Sequence, residues 1–258
     1  DEENSNVLSR AKSFFGTGYW QRVRERPVPL ILSAFLLFGP AALSFVWGLQ
    51  DPGAASGVVP GALRSVTEER SGSGDLGLSS GESAAFSSQI FTNNIRVTVL
   101  SFAAGILLCF GTVFVLVFNG VTFGAIGGMA FGAGNGERFL ALVTPHGVLE
   151  LSCIVVAAAA GLRMGWAIVV PGTKTRVEAL TVEARRSIEI VLGTAPWLVL
   201  AGIVEGFVTP SGLGIPAAFA VGFCIGSVYW ALLWWRGGGS PDNRTEELRF
   251  TAGRALSP

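Results

Sequence analysis

The densest group of residues that could do chemistry is the segment TPHGVLE at residues 144–150, which contains the only histidine of the chain. Thr144 suits the N-cap of a helix and Pro145 suits its first position, so a helix is predicted to begin here. On that helix His146 and Glu150 are four residues apart and share a face. An imidazole beside a carboxylate can form an ion pair, pass a proton or bind a metal ion.

Three further polar residues, Asn94, Arg96 and Glu205, lie near the ends of other apolar runs. The order of spans given below brings these residues to the same side of the membrane as His146 and Glu150. We therefore expect one polar cluster near the outer leaflet, made of Asn94, Arg96, His146, Glu150 and Glu205. Ionisable residues inside a membrane are costly, and they usually face the bundle interior and pair with one another.

Three interpretations of this cluster stay open at the level of sequence. It could be a network of ion pairs and hydrogen bonds that fixes the helix register, or a pathway for a proton, an ion or a small solute. It could also be a metal site, because His146, Glu150 and Glu205 supply one nitrogen and two carboxylates, which zinc accepts. The second histidine of an HExxH motif is absent, and no catalytic residue is assigned.

The composition shows what must position these residues. Half of the 258 residues are hydrophobic and 14% are charged, whereas soluble domains carry about 25% charged residues. Several apolar runs reach the roughly 20 residues that a helix needs to cross a bilayer. We predict an all-α polytopic membrane bundle with six transmembrane helices, at 29–49, 92–118, 120–136, 145–171, 188–208 and 214–235.

Arginine and lysine are concentrated before the first span, between spans four and five, and after span six. Cytoplasmic loops are enriched in these residues, so both termini are predicted to be cytoplasmic. The chain then divides into an interfacial N-terminal segment at 1–28, a transmembrane domain at 29–235 and a cytoplasmic tail at 236–258 that is expected to be disordered. Within the domain, 51–91 is predicted as an extracytoplasmic loop and 173–187 as a cytoplasmic interfacial helix. Arg163 is expected to extend its side chain towards the inner interface.

Glycine recurs at every fourth position through the third predicted span, at Gly120, Gly124, Gly128, Gly132 and Gly136. On a helix this spacing makes one groove without side chains, into which another helix can pack very closely. The groove predicts tight packing within the bundle, with a homodimer seam or a sliding surface as the alternative.

The sequence resembles the stage II sporulation protein M family over about residues 86–210. The resemblance rests on Asn93-Asn94 at the start of a span, the segment NGVTFG at 119–124 and the segment PHGVLE at 145–150. It implies a multi-spanning protein of the prokaryotic inner membrane. The family's namesake works with peptidoglycan-degrading partners by anchoring or localising them, and its PHGxxE motif falls here on His146 and Glu150.

Three functions follow from these observations as hypotheses. The first is a non-enzymatic scaffold of a cell-envelope complex, a homo-oligomer with a dimer as the first expectation, which contacts the lipid bilayer and other membrane or envelope proteins. The second is a transporter or channel that uses the polar cluster. The third is an intramembrane metal-binding protein or metalloenzyme, with zinc as the divalent cation; otherwise no cofactor is expected. A formal net charge of zero gives no case for nucleic acid.

Overall fold

The computed structural model describes residues 11–61, 80–208 and 214–238, and every regular element in these ranges is helical. Its main helices are α1 (Tyr19–Arg24), α2 (Pro27–Gln50), α3 (Ser80–Ala103), α4 (Phe110–Gly132), α5 (Gly136–Val169), α6 (Arg176–Ile203) and α7 (Ile215–Arg236). A π-helical turn, Val204–Val208, continues α6. The expectations for the centre of the 51–91 loop and for the tail beyond residue 238 lie outside the described residues.

Five helical segments among the described residues are long and apolar enough to cross a membrane: Pro27–Gln50, Phe110–Gly132, Phe139–Val169, Arg176–Val208 and Ile215–Arg236. Large apolar side chains cover their outward faces, for example Phe35 and Trp234, which are 70% and 74% exposed. A surface of this kind fits lipid rather than water. The prediction of a helical membrane protein is confirmed.

The predicted boundary between spans two and three is wrong. The sequence suggested a break at Asn119-Gly120, but α4 passes through both residues without interruption. The Asn119 side-chain amide donates to the Val115 carbonyl at 2.7 Å, so its polar group is satisfied inside the helix. The chain turns earlier, between α3 and α4, where Leu108 and Cys109 have φ angles of 52° and 72°.

The structure also corrects the bounds of two other predicted segments. Helix α3 begins at Ser80, inside the stretch predicted as the 51–91 loop. The predicted interfacial helix at 173–187 is not separate, because α6 runs continuously from Arg176 to Ile203. Its start is fixed by a capping box in which the Thr175 hydroxyl accepts from the Glu178 N–H and the Glu178 carboxylate accepts from the Thr175 N–H.

The described part of the N-terminal segment packs into the bundle. Tyr19 and Trp20 are 1% and 2% exposed and belong to the same core cluster as Tyr229 of α7. The Tyr19 hydroxyl lies 2.6 Å from the Tyr229 hydroxyl and 3.1 Å from the hydroxyl of Thr194 on α6. Helix α1 therefore holds α6 and α7 together rather than resting only on a membrane surface.

Glycines bring α2 and α4 together at backbone distance. A Cβ added at Gly120, Gly124 or Gly128 would lie 2.3, 2.0 or 2.1 Å from the carbonyl oxygens of Leu37, Ala41 and Phe45, respectively. The last two members of the predicted groove differ from these. At Gly132 nothing lies closer than 3.8 Å, and Gly136 belongs to α5, where the Phe131 ring is its nearest neighbour. The predicted groove is wrong at Gly136 because α4 ends at Gly132.

Helix α5 lies at the centre, and contacts along it give the direction of its neighbours. It runs parallel to α3, since Asn94 contacts Glu150 and the Ser101 carbonyl approaches Gly161. It runs antiparallel to α6, since Ser187 donates to the Ala160 carbonyl at 3.0 Å while Glu205 approaches His146. Helix α7 is again parallel to α5, and α2 is parallel to α4. Helix α2 runs antiparallel to α5, since Ser33 donates to the Val155 carbonyl at 2.8 Å while Phe45 and Phe139 both lie next to Gly127. Successive long helices therefore alternate in direction.

Candidate functional site

His146 and Glu150 lie one turn apart on the inward face of α5. They are 2% and 1% exposed, although both belong to the apolar segment Phe139–Val169. Helix α5 begins at Gly136, ten residues before His146, so Pro145 lies inside the helix rather than at its start. The shared face predicted from the spacing of four holds within this longer helix.

Glu205 reaches the same point from α6. It is 1% exposed and lies in the π-helical turn Val204–Val208, a distortion that is frequent at functional sites. Its Oε2 is 3.9 Å from the Nε2 of His146. One ligand atom from each of His146, Glu150 and Glu205 can be chosen so that all three lie within 4.8 Å of one another.

Asn94 joins this group from α3, because its side-chain amide donates a hydrogen bond to Oε2 of Glu150. Arg96, which was predicted as a fifth member, is exposed. It is two residues beyond Asn94, and residues two apart on a helix do not share a face. The three-residue group of His146, Glu150 and Glu205, with Asn94 beside it, is called the carboxylate–histidine cluster below.

The cluster is not saturated with hydrogen bonds. Oε1 of Glu150 and both carboxylate oxygens of Glu205 are buried and receive no hydrogen bond from the described part of the chain. The Nε2–Oε2 separation of 3.9 Å is itself too long for a hydrogen bond. Buried polar atoms are normally paired, so these three oxygens need an explanation.

A second polar group, which the sequence did not predict, lies at the other end of α5. Arg163 is 2% exposed, and it donates from Nε to Glu183 at 2.5 Å, from Nη1 to the Arg22 carbonyl at 2.8 Å and from Nη2 to Glu25 at 3.1 Å. The expectation that Arg163 extends to the interface is therefore wrong. We call this group the Arg163 network; it also includes Arg26, Arg186 and Glu189.

The electrostatics of the Arg163 network can be seen at Glu25, which lies outside the apolar spans. Burial alone would raise the pKa of this carboxyl, but the guanidiniums of Arg163, Arg22 and Arg186 more than offset that effect. The pKa of Glu25 is consequently held below its ordinary value of 4.5. The carboxylates of this network are paired with arginines. By contrast, Glu150 and Glu205, at the other end of α5, have no arginine or lysine partner among the described residues.

One comparison with known proteins identifies a family. The sequence profile described as Stage II sporulation protein M matches residues 34–210. Two relatives are uncharacterized proteins of Methanocaldococcus jannaschii. MJ0793 is 28% identical over 123 residues, which are 47% of this chain and 69% of the relative. MJ0706 is 29% identical over 126 residues, 46% of this chain and 54% of the relative, so the chain spans about half of its length.

No solved structure matches this chain. The family profile covers more than half of the 258 residues and includes α4, α5 and α6 completely. It thus contains His146, Glu150 and Glu205, together with the Asn94 that orients one of them. The chain belongs to the stage II sporulation protein M family.

Proposed function

We propose that the protein is a rigid, non-enzymatic scaffold with six membrane spans and both termini in the cytoplasm of a prokaryotic cell. Its place would be the inner membrane, in a complex of the cell envelope, and its partners would be other envelope proteins and a second copy of the chain. The observation that carries the proposal is the contact of helices at backbone distance through the bundle.

Three helix interfaces make such contacts. A Cβ at Gly124 would meet the Ala41 carbonyl of α2, and one at Gly161 would lie 2.4 Å from the Ser101 carbonyl of α3. A Cβ at Gly222 of α7 would lie 2.0 Å from the carbonyl of Thr144 on α5. Helices that interlock in this way cannot rock against each other without giving up a whole seam of packing, which favours a static role over alternating access.

The sixth span in this proposal is α3. It has 24 residues and is therefore about 36 Å long at 1.5 Å per residue, enough for a hydrocarbon core of about 30 Å. Its polar residue Asn94 faces Glu150 rather than lipid. Because α2 and α4 run parallel, the chain must return across the bundle between them, and α3 runs in the required direction.

A single-cysteine experiment tests the topology. In a background lacking the three native cysteines, Glu137→Cys introduces a thiol at the exposed start of α5. Six spans with cytoplasmic ends predict that a membrane-impermeant thiol reagent labels it from outside intact cells, whereas Lys174→Cys is labelled only after lysis. Labelling of the two sites from the same side would refute the six-span arrangement.

A transporter is the second candidate, and the unpaired carboxylate oxygens of Glu150 and Glu205 favour it. The reactivity of the Cys153 thiol distinguishes the two functions. Cys153 is three residues from Glu150 on α5 and fully buried, so a water-soluble reagent reaches it only if water enters the bundle beside Glu150. With Cys109 and Cys224 replaced by serine, a scaffold predicts that a water-soluble thiol reagent modifies Cys153 only after denaturation. The Glu137→Cys thiol is the accessible control. Modification of Cys153 in native membranes would contradict the scaffold and support a water-filled pathway.

A further inference from the structure

We propose that His146, Glu150 and Glu205 form a binding site for one divalent transition-metal cation such as Zn²⁺. The site connects α5 to α6, and Asn94 of α3 orients one of its ligands. This inference does not depend on the scaffold function, because a metal at this point would be compatible with a static or a moving bundle.

The geometry suits a small cation. Ligand atoms at 2.0–2.2 Å from a tetrahedral zinc lie about 3.3–3.6 Å from one another. The three candidate atoms lie within 4.8 Å of one another, and the His146 Nε2 is 3.9 Å from Glu205 Oε2. Small rotations of two glutamate side chains would contract the triangle to coordination distance. Three protein ligands leave a fourth position for water or another group.

The unpaired oxygens supply an independent observation that points to a ligand. Glu150 and Glu205 are both 1% exposed, and three of their four carboxylate oxygens receive no hydrogen bond from the described residues. Within the same residues, neither carboxylate forms an ion pair with an arginine or a lysine. Two buried carboxylates that no arginine or lysine of the described residues neutralises are costly in an apolar medium. One dication would neutralise both.

The donor set selects the class of ion. Magnesium and calcium prefer sites made entirely of oxygen ligands, whereas an imidazole suits zinc, iron, copper and nickel. One imidazole and two carboxylates therefore favour a borderline transition-metal dication. Asn94 completes the arrangement as a positioning residue, because the amide that donates to Glu150 Oε2 leaves Oε1 available to the cation.

The first experiment uses the full-length protein, purified in detergent, stripped with a chelator and titrated with Zn²⁺. We expect one tightly bound Zn²⁺ per chain by elemental analysis and a higher unfolding temperature when the ion is present. His146→Gln and Glu205→Gln should each weaken binding at least ten-fold. The matched control is Glu137→Gln, which removes an exposed carboxylate from the same helix and should bind Zn²⁺ like the wild type.

The second experiment uses Co²⁺ in the wild-type protein and needs no variant to fold. A site with one nitrogen and two carboxylate ligands should give the visible absorption bands of four- or five-coordinate Co²⁺, and Zn²⁺ should abolish them. Zn²⁺ binding that is unchanged in both site variants would overturn the proposal, as would a wild-type protein without Co²⁺ bands at saturation. In the latter case, an infrared carbonyl band of a protonated carboxyl that Glu205→Gln removes would identify a proton as the occupant.

Discussion

Replacing Arg163 by methionine tests whether buried ion pairing holds one end of the bundle together. The substitution keeps an apolar stem but removes the three hydrogen bonds that the guanidinium donates to Glu183, Glu25 and the Arg22 carbonyl. At about 1.5–3 kcal/mol for each of the two hydrogen bonds to a carboxylate, and about 0.5–1.5 kcal/mol for the one to the carbonyl, the simple sum is about 3.5–7.5 kcal/mol.

That sum is an upper limit because both carboxylates keep other cations nearby. Arg26 lies 3.5 Å from Glu183, and Arg186 lies 3.9 Å from Glu25 and from Glu183. Removing one member of a buried pair typically costs about 3–5 kcal/mol. We therefore expect Arg163→Met to lower the free energy of unfolding by about 3–5 kcal/mol.

Unfolding in detergent by a denaturant, followed by tryptophan fluorescence, measures this change. Arg176→Met is the matched control, since Arg176 is exposed, and it should change the stability by less than about 0.5 kcal/mol. A double-mutant cycle with Glu183→Gln should give a coupling energy in the range of about 0.5–3 kcal/mol. If Arg163→Met stays within about 1 kcal/mol of the wild type, buried pairing is not what stabilises this end of the bundle.

Three further predictions concern other parts of the fold. Gly124→Ala should destabilise the protein by about 1–3 kcal/mol, because its Cβ meets backbone atoms of α2, whereas Gly132→Ala on the same helix should be neutral or slightly stabilising; equal unfolding midpoints would contradict the packing argument. Because the pKa of Glu25 is lowered on folding, its contribution to stability is present above pH 4.5 and is lost as the pH falls through the folded value. The stability difference between wild type and Glu25→Gln should therefore shrink on acidification, and a difference that grows would reverse the assigned sign. Thr175→Val, which removes the capping hydroxyl of α6, should cost about 0.5–2 kcal/mol in the same assay, and an unchanged midpoint would show that this cap is dispensable.

The carboxylate–histidine cluster could be anticipated from sequence because it depends on two coarse properties. The spacing of His146 and Glu150 fixes their common helix face, and the order of the apolar runs brings Glu205 to the same end of the bundle. Errors of several residues in the span limits do not change either result. The prediction that Arg96 belongs to the cluster was wrong because it ignored the helix face. Arg96 is two positions from Asn94 on α3 and therefore lies on a different face, where it is exposed.

The turn between α3 and α4 could not be predicted in the same way. The sequence signals of a turn are glycine, proline and asparagine, and these pointed to Asn119-Gly120. The actual turn places Leu108 and Cys109 at positive φ, where such residues are uncommon. It is compensated by tertiary contacts, for example a hydrogen bond of 2.6 Å from the Thr112 hydroxyl to the Ser101 carbonyl. Tertiary contacts of this kind leave no local pattern in the sequence.

The Arg163 network was missed for a related reason, and it bears on the metal proposal. Its acceptors, Glu25 and Glu183, lie in segments that were predicted to lie outside the core, so no partner for Arg163 could be foreseen. The network shows that this fold can surround a buried charge on α5 with complementary groups from its own chain. Glu150 lies thirteen residues from Arg163 on the same helix, or about 20 Å at 1.5 Å per residue, and neither it nor Glu205 of the neighbouring helix has an arginine or lysine partner among the residues that the structure describes. Because the fold pairs the buried charges around Arg163 so completely, we expect the buried carboxylates of Glu150 and Glu205 to have a countercharge as well. We propose that a bound metal cation supplies it.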